Sequence, residues 1–169
     1  MKNQRIRCFN YNGTISRNNV VFFGIPDITE IPPLVTVTAF NQIDVEERLE
    51  VPEVKPDIEQ INSVNLQVCL ENAFISNDMN KIFIKGIIWQ KITYTACDSD
   101  QPVHTFEKDN LFSHFIDISD ILIPSGIDLF NVITLAPEDA FIQKINGRKV
   151  FKDILVLAIL QLPQPTPPS

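Results

Sequence analysis

The stretch KIFIKGIIWQKITYTA, residues 81–96, alternates apolar and polar side chains with a period of two. One face carries Ile82, Ile84, Ile88, Ile92 and Tyr94, and the other carries Phe83, Lys85, Trp89, Lys91 and Thr93. This pattern is typical of a β-strand that lays one face on a hydrophobic core. Gly86 interrupts the alternation and indicates a β-bulge or a close approach by another segment.

The preceding stretch VNLQVCLE, residues 64–71, alternates in the same way, and NDMN at 77–80 is a turn signal between the two. Together they predict a long antiparallel hairpin. Further strands are predicted at 34–40, 43–51, 111–118, 127–136 and 148–162. Residues 136–145 fit either a strand or a short helix that begins at Pro137.

Within the strand predicted at 43–51, only Glu47 interrupts the apolar face. Because Glu47 stands beside Glu46 and Arg48, it is interpreted as part of a solvated face.

Twelve prolines, five glycines and no convincing helix longer than two turns favour an all-β chain. Strands at short spacing with proline-rich connections predict an antiparallel β-sandwich or a barrel-like domain. Residues 1–18 are polar and are expected to form an N-terminal arm, and 19–162 a single β-rich domain. The proline-rich residues 163–169 are expected to be a disordered tail.

The segment 154–160 is apolar on both faces, unlike the other predicted strands. Such a strand either lies between two packed layers or presents one face to another subunit. The residues of the candidate assembly interface are Ile154, Leu155, Val156, Leu157 and Ile159.

The stretch VPEVKPDIEQI, residues 51–61, contains two prolines between predicted strands. Pro52 offers no N–H to a strand ladder and therefore ends the strand before it. Pro56 keeps Lys55 in an extended conformation. The stretch is interpreted as a corner that carries the chain from one sheet to another, and not as a binding site.

Within this corner, Asp57 is predicted to cap a single helical turn, with Gln60 as the reciprocal partner of a capping box. Ile58 and Ile61 are three residues apart, so they would share one side of that turn.

The net charge of −7 argues against nucleic acid as a partner, because phosphate binding requires clustered Lys and Arg. No apolar run reaches the roughly 18 residues that a membrane-spanning helix needs, so no membrane insertion is expected. The first residues contain no apolar signal-peptide core. The protein is therefore expected to be made in a cytoplasm.

Cys8, Cys69 and Cys97 are an odd number without a CxxC pair. At least one thiol must then be free or bonded to another chain. Three reduced thiols are one interpretation, and inter-chain cross-linking is the other.

The residues do not predict catalysis, a cofactor or a metal site. His114 shares a face with apolar neighbours and is interpreted as a core or interface residue, and a pairing of Cys97 with His104 lacks a third orienting residue. The DSDQPV loop at 98–103 places Pro102 where a calcium loop needs an oxygen ligand, so it is interpreted as a hairpin turn.

Three segments in order resemble the SPOCS domain of endospore-forming bacteria, which occurs in SipL-type spore coat proteins. They are EERLEVPEVKPDIEQINSVNLQV (46–68), IFIKGIIWQKITYTA (82–96) and DSDQPVHTFEKDNLFSHFIDI (98–118). The motif corner comprises Pro52, Lys55, Pro56 and Asp57. The resemblance implies a non-enzymatic, β-rich component of the spore coat, exosporium or surface appendages. SipL-type proteins also carry several such units and a LysM module, which are not found here, so their anchoring partner is not carried over.

Two functions remain in competition. The first is a structural subunit that assembles with itself and with other spore envelope proteins, made in the mother-cell cytoplasm and deposited on the spore surface. Residues 19–25 could then add as a strand to a neighbouring subunit, or form an ordinary first strand. The alternative is a monomeric adaptor that recruits another coat protein. An enzyme is disfavoured because no catalytic constellation supports it.

Overall fold

The computed structural model describes residues 7–12, 14–15, 20–23 and 38–163. Within these residues the chain forms nine strands and one short helix, and every strand pair is antiparallel. The elements are β1 (Arg7–Asn12), β2 (Thr14–Ile15), β3 (Val20–Phe23), β4 (Ala39–Glu50), β5 (Ile58–Ile75), β6 (Lys81–Ala96), β7 (Val103–Asp117), α1 (Leu129–Val132), β8 (Ile133–Lys144) and β9 (Lys149–Leu160).

The strands form two sheets that pack on each other as a sandwich. The four-stranded sheet has the order β1-β5-β6-β7, and the five-stranded sheet has the order β2-β3-β8-β9-β4. The prediction of an all-β antiparallel fold is confirmed, and the sandwich is the correct one of the two architectures that the sequence allowed.

The predicted hairpin is strands β5 and β6 with their turn at 77–80. The amide of Ser76 donates to the carbonyl of Lys81 over 2.8 Å, and the amide of Met79 donates to the carbonyl of Ser76 over 2.9 Å. Met79 has a φ of 61°, which closes the turn in the left-handed region. The turn therefore sets the register of the two longest strands.

Gly86 on β6 lies both at a β-bulge and at a close approach by another strand, the two alternatives that the sequence indicated. The register between β5 and β6 shifts between Leu70 and Asn72, directly beside Gly86. A Cβ at position 86 would lie 2.3 Å from the ring atom Cζ of Phe112 on β7. A side chain at this position would therefore displace the phenylalanine ring.

The inner faces of both sheets form one core. The alternate residues of β6 from Ile82 to Ala96 and of β9 from Val150 to Leu160 are buried. Their apolar members pack with the inner residues of the neighbouring strands. The period-two pattern of the sequence thus identified the core face of β6, whereas in β9, where 154–160 is apolar on both faces, the structure decides which face is buried.

The strand predicted at 127–136 is wrong in its first half. Residues Leu129–Val132 form α1, because the carboxylate of Asp128 accepts a hydrogen bond of 3.0 Å from the amide of Phe130 and so caps the helix. The segment 136–145, for which helix and strand were both open, lies mostly in β8. Its register shifts between Pro137 and Asp139, as expected where proline interrupts a ladder.

Several predictions fall on the edges of the described residues. The strand predicted at 34–40 is described only from residue 38 onward, and the tail at 163–169 only at residue 163. The strand predicted at 19–25 is described at residues 20–23, as β3, which pairs with β8 of the same chain. Within residues 1–18, β1 pairs with β5 and β2 pairs with β3.

Candidate functional site

The proline corner connects β4 of the five-stranded sheet to β5 of the four-stranded sheet, as predicted. Its geometry is held by Arg148, which stands in the turn between β8 and β9. The guanidinium donates to the carbonyls of Val51 and Lys55 over 2.7 Å each, and to the carbonyl of Pro52 over 3.1 Å. It also pairs with the carboxylate of Asp57 at 3.1 Å. One side chain thus binds four acceptors of the corner.

Two more contacts close the corner. The buried hydroxyl of Tyr94 donates to the carbonyl of Pro56 over 2.8 Å, and burial raises the pKa of this phenol. Gly147 lies so close to Asp57 that a Cβ there would be 2.8 Å from its carboxylate oxygen. The corner residues therefore bind the protein's own chain, which agrees with a shaping role.

The capped helical turn predicted at Asp57 is wrong. The chain enters β5 at Ile58, and Asp57 uses its carboxylate on Arg148 and not on a helix cap. Ile58 and Ile61 are both buried because the register of β5 shifts between residues 58 and 60 and again between 61 and 63. The first shift, a β-bulge and not a helical turn, produces the three-residue spacing of Ile58 and Ile61, and the second produces that of Ile61 and the buried Val64.

The sequence reasoning missed Arg148, although a signal was present. Asn146 and Gly147 form the Asn-Gly pair that favours tight hairpin turns. The side-chain oxygen of Asn146 accepts from the amides of Arg148 and Lys149 over 2.8 and 2.9 Å. The hairpin turn was therefore predictable, but its position beside the proline corner was not.

The structure pairs two of the three cysteines. Cys8 on β1 and Cys69 on β5 stand opposite each other and form a disulfide within the chain. Cys97 is a free, exposed thiol in the loop between β6 and β7. The hypothesis of inter-chain cross-linking through all three cysteines is therefore reduced to Cys97.

The two histidines and the loop at 98–103 have structural partners. His114 is half-buried on the inner face of β7, and the ring of His104 stacks 5.9 Å from that of Tyr94. No hydrogen bond joins Cys97 to His104 in the described structure. The loop is a hairpin turn in which the amide of Gln101 donates to the carbonyl of Asp98 over 2.9 Å. Among the described residues no group of three or more His, Cys, Asp or Glu could hold a metal ion.

The candidate assembly strand at 154–160 is β9, between β8 and β4. Its inner face, with Ile154 and Val156, is fully buried between the sheets. On its outer face Ile159 is buried, while Leu155 and Leu157 are half-buried. Of the two interpretations, packing between layers accounts for the inner face, and the outer face stays a proposed contact surface.

Acidic side chains surround the outer side of Leu155. Asp44, Asp139 and Asp153 line a shallow cleft of about 300 Å³ there. A hydrogen bond with Asp44, together with burial and the neighbouring negative charges, raises the pKa of Asp153 to about 6. Three carboxyl groups therefore lie close together on the outer face of the five-stranded sheet.

The outer face of the four-stranded sheet carries an aromatic row that the sequence did not reveal. Phe74, Phe83 and Phe115 stand opposite one another on β5, β6 and β7. Their rings lie 5.3 and 6.3 Å apart, and the side chains are 55%, 38% and 38% exposed. The ammonium of Lys81 lies 4.8 Å from the centre of the Phe115 ring. We call these three phenylalanines the aromatic row.

The sequence did not reveal the aromatic row, because the pairing register between the strands decides which residues stand side by side. The alternation of 81–96 placed Phe83 on the wet face, but nothing in the sequence aligned it with Phe74 and Phe115. Trp89 and Leu111 add further exposed apolar surface to the same face, at 43% and 53%. Exposed apolar side chains on one face of a sheet make that face a candidate interaction surface.

A last polar group lies inside the sandwich. Lys152 on β9 is fully buried, and its ammonium pairs with the carboxylate of Glu47 on β4 at 2.8 Å. The same carboxylate oxygen accepts from the amide nitrogen of Gln90 on β6 over 3.3 Å. The interpretation of Glu47 as part of a solvated face is therefore wrong, because its partner Lys152 draws it into the inter-sheet space.

The fold and these surfaces define the class of protein. The protein is an antiparallel β-sandwich with a braced corner and an exposed aromatic surface, and none of the described helices is long and apolar enough to cross a membrane. Residues 57–130 match the family described as SipL, SPOCS domain. The resemblance found in the sequence is confirmed over this segment. No curated protein and no solved structure matches the chain.

The matched segment begins at Asp57 and runs through β5, β6 and β7 to the start of α1. It covers less than half of the 169 residues and includes three strands of the four-stranded sheet. The match suggests a spore-coat-related role for this protein.

Proposed function

We propose that the protein is a self-assembling structural subunit of the bacterial spore surface. It is made in the mother cell, deposited on the coat or exosporium, and contacts further copies of itself and other envelope proteins. The observation that carries this proposal is the aromatic row. The core does not need these rings, since they lie on the outer face of the sheet.

The position of the row favours contact with a second copy. Phe115 lies on β7, which is an edge strand of the four-stranded sheet and is fifteen residues long. Long edge strands are templates for pairing with another chain. Within the described residues β7 pairs only with β6, and Asn41 caps one of its carbonyls, that of Phe115, over 2.7 Å. Edge pairing would extend the sheet and continue the row onto the next subunit.

Cys97 supplies a covalent reinforcement in this proposal. Its thiol is exposed in the loop at the end of β6, while the other two cysteines are joined within the chain. An oxidising exterior would allow two such loops to form a disulfide between subunits. Non-reducing gels of assembled material test this, with Cys97→Ser as the variant that should lose the dimer band.

The test of assembly is size-exclusion chromatography with light scattering, followed by negative-stain microscopy of the purified protein. The wild type should form ordered polymers or sheets, and the triple variant Phe74→Ser, Phe83→Ser, Phe115→Ser should be a folded monomer. The matched control is Leu122→Ser, because Leu122 is 91% exposed but lies outside the sheets. A wild type that stays monomeric at high concentration would refute self-assembly and leave the adaptor function in its place.

A further inference from the structure

The polar side chains of Glu47, Gln90 and Lys152 lie between the two sheets, where the core of a sandwich is otherwise apolar. Lys152 and Gln90 are 0% and 2% exposed, and they come from opposite sheets. Glu47 stands directly opposite Lys152 on the neighbouring strand. Lysine is almost never fully buried unless it is paired, and here a single carboxylate oxygen serves both the amine and the amide.

The amide of Gln90 is only half satisfied. Its nitrogen donates to Glu47, but its oxygen Oε1 is buried without a hydrogen-bond partner. An orphaned buried carbonyl oxygen is destabilising, because it loses its hydration without gaining a hydrogen bond. A core that only needed apolar filling would place leucine or methionine at positions 90 and 152, so the group requires another explanation.

The contacts bring an amine, a carboxylate and an amide together between the sheets. The ammonium nitrogen of Lys152 lies 2.8 Å and the amide nitrogen of Gln90 lies 3.3 Å from the same oxygen of Glu47. A carboxylate in this position can take a proton from one nitrogen and deliver it to the other. Burial lowers the pKa of the Lys152 amine, with Glu47 acting in the opposite direction, and the neutral amine is the nucleophile.

We propose that Lys152 and Gln90 form a covalent amide cross-link between the two sheets, with Glu47 as the proton carrier. The cross-link would join β9 to β6 across the core and does not depend on assembly into a polymer. It would prevent the two sheets from separating and would suit a protein exposed to harsh conditions on a spore.

The step balances without an oxidant or another reactant. Glu47 takes a proton from the Lys152 ammonium, and the neutral Nζ forms a bond to Cδ of Gln90. A second Nζ proton passes through Glu47 to the amide nitrogen, and the bond from Cδ to Nε2 breaks. Ammonia leaves, the new amide carries one hydrogen, and Glu47 ends as the neutral acid. The chain loses one NH₃.

Mass spectrometry of the full chain tests the proposal directly. The intact mass should fall short of the sequence mass by about 17 Da, the mass of the ammonia that leaves on acyl transfer. Trypsin should then fail to cut at Lys152 and should release the peptide starting at Val150 joined to residues 86–91. A full sequence mass after prolonged incubation of the folded wild type would overturn the proposal.

Two variants distinguish a specific role of Glu47 as proton carrier from general effects of substitutions on the pair of strands β4 and β9. Glu47→Gln keeps the volume and should show the full mass and two separate peptides. The matched control is Glu50→Gln, because Glu50 pairs with Lys149 at 3.5 Å on the same two strands but at the surface. Glu50→Gln should keep the loss of about 17 Da. A cross-link that persists in Glu47→Gln, or that joins Lys152 to Glu47, would overturn the assigned roles.

Discussion

The corner held by Arg148 leads to a quantitative prediction. Arg148→Ala removes four hydrogen bonds from the guanidinium to Val51, Pro52, Lys55 and Asp57. Bonds to charged groups contribute about 1.5–3 kcal/mol each when buried. The Arg148 side chain is 33% exposed, so water replaces part of what is lost. We expect the free energy of unfolding to fall by about 3 kcal/mol, well below the simple sum.

Urea unfolding followed by far-ultraviolet circular dichroism measures this loss. With slopes of about 1–3 kcal/mol per molar, the midpoint should fall by about 1–3 M. Arg148→Lys keeps the charge but not the planar fork, so it should recover less than half of the loss. The control is Arg48→Ala on the exposed face of β4, which should change the free energy of unfolding by less than about 0.5 kcal/mol.

The reasoning would be refuted if Arg148→Ala cost no more than Arg48→Ala. Such a result would mean that Pro52 and Pro56 shape the corner without the guanidinium. A full recovery by Arg148→Lys would also contradict it, because charge alone would then suffice.

Three further outcomes are expected. Gly86→Ala should lower the free energy of unfolding by about 1–3 kcal/mol through its collision with Phe112, and Phe112→Ala in the same chain should remove most of the added cost in a double-mutant cycle. Reduction of the Cys8–Cys69 disulfide, which spans 61 residues, should cost up to about 4 kcal/mol in urea unfolding; an unchanged midpoint would show that the bond does not form. The pKa of Asp153 is raised in the folded state, so its contribution to stability is full at low pH and is lost as pH rises through about 6. Asp153→Asn should remove this component from thermal unfolding measured between about pH 4 and pH 7, and an identical pH profile would contradict it.

The sequence predicted most strands because a half-buried strand must alternate. The core faces of 64–71 and 81–96 followed directly from their apolar positions, and the structure buries those faces. The prediction failed where local chemistry competes with periodicity. At 127–136 one carboxylate, that of Asp128, caps a short helix. Between Ile58 and Ile61 a β-bulge gives the same three-residue spacing as a helical turn.

The candidate sites depended on residues that are far apart in the chain. Arg148 meets the corner at 51–57 only after two sheets have packed, and Lys152 meets Glu47 across 105 residues. Glu47 was visible in the sequence as the one interruption of an apolar face, but no neighbouring residue indicated that Lys152 would be its partner. The family resemblance was recoverable because its motifs are ordered along the chain within 46–118.

The sequence by itself therefore determined the β-class, the inward face of several strands, the proline corner and the family resemblance, since these depend on local periodicity and ordered motifs. Only the tertiary structure decided the aromatic row, the disulfide partner of Cys69, the brace from Arg148 and the inter-sheet group around Lys152. The physical reason is register. Alternation specifies which side a residue faces, but hydrogen bonding between strands distant in sequence decides which residues stand opposite each other.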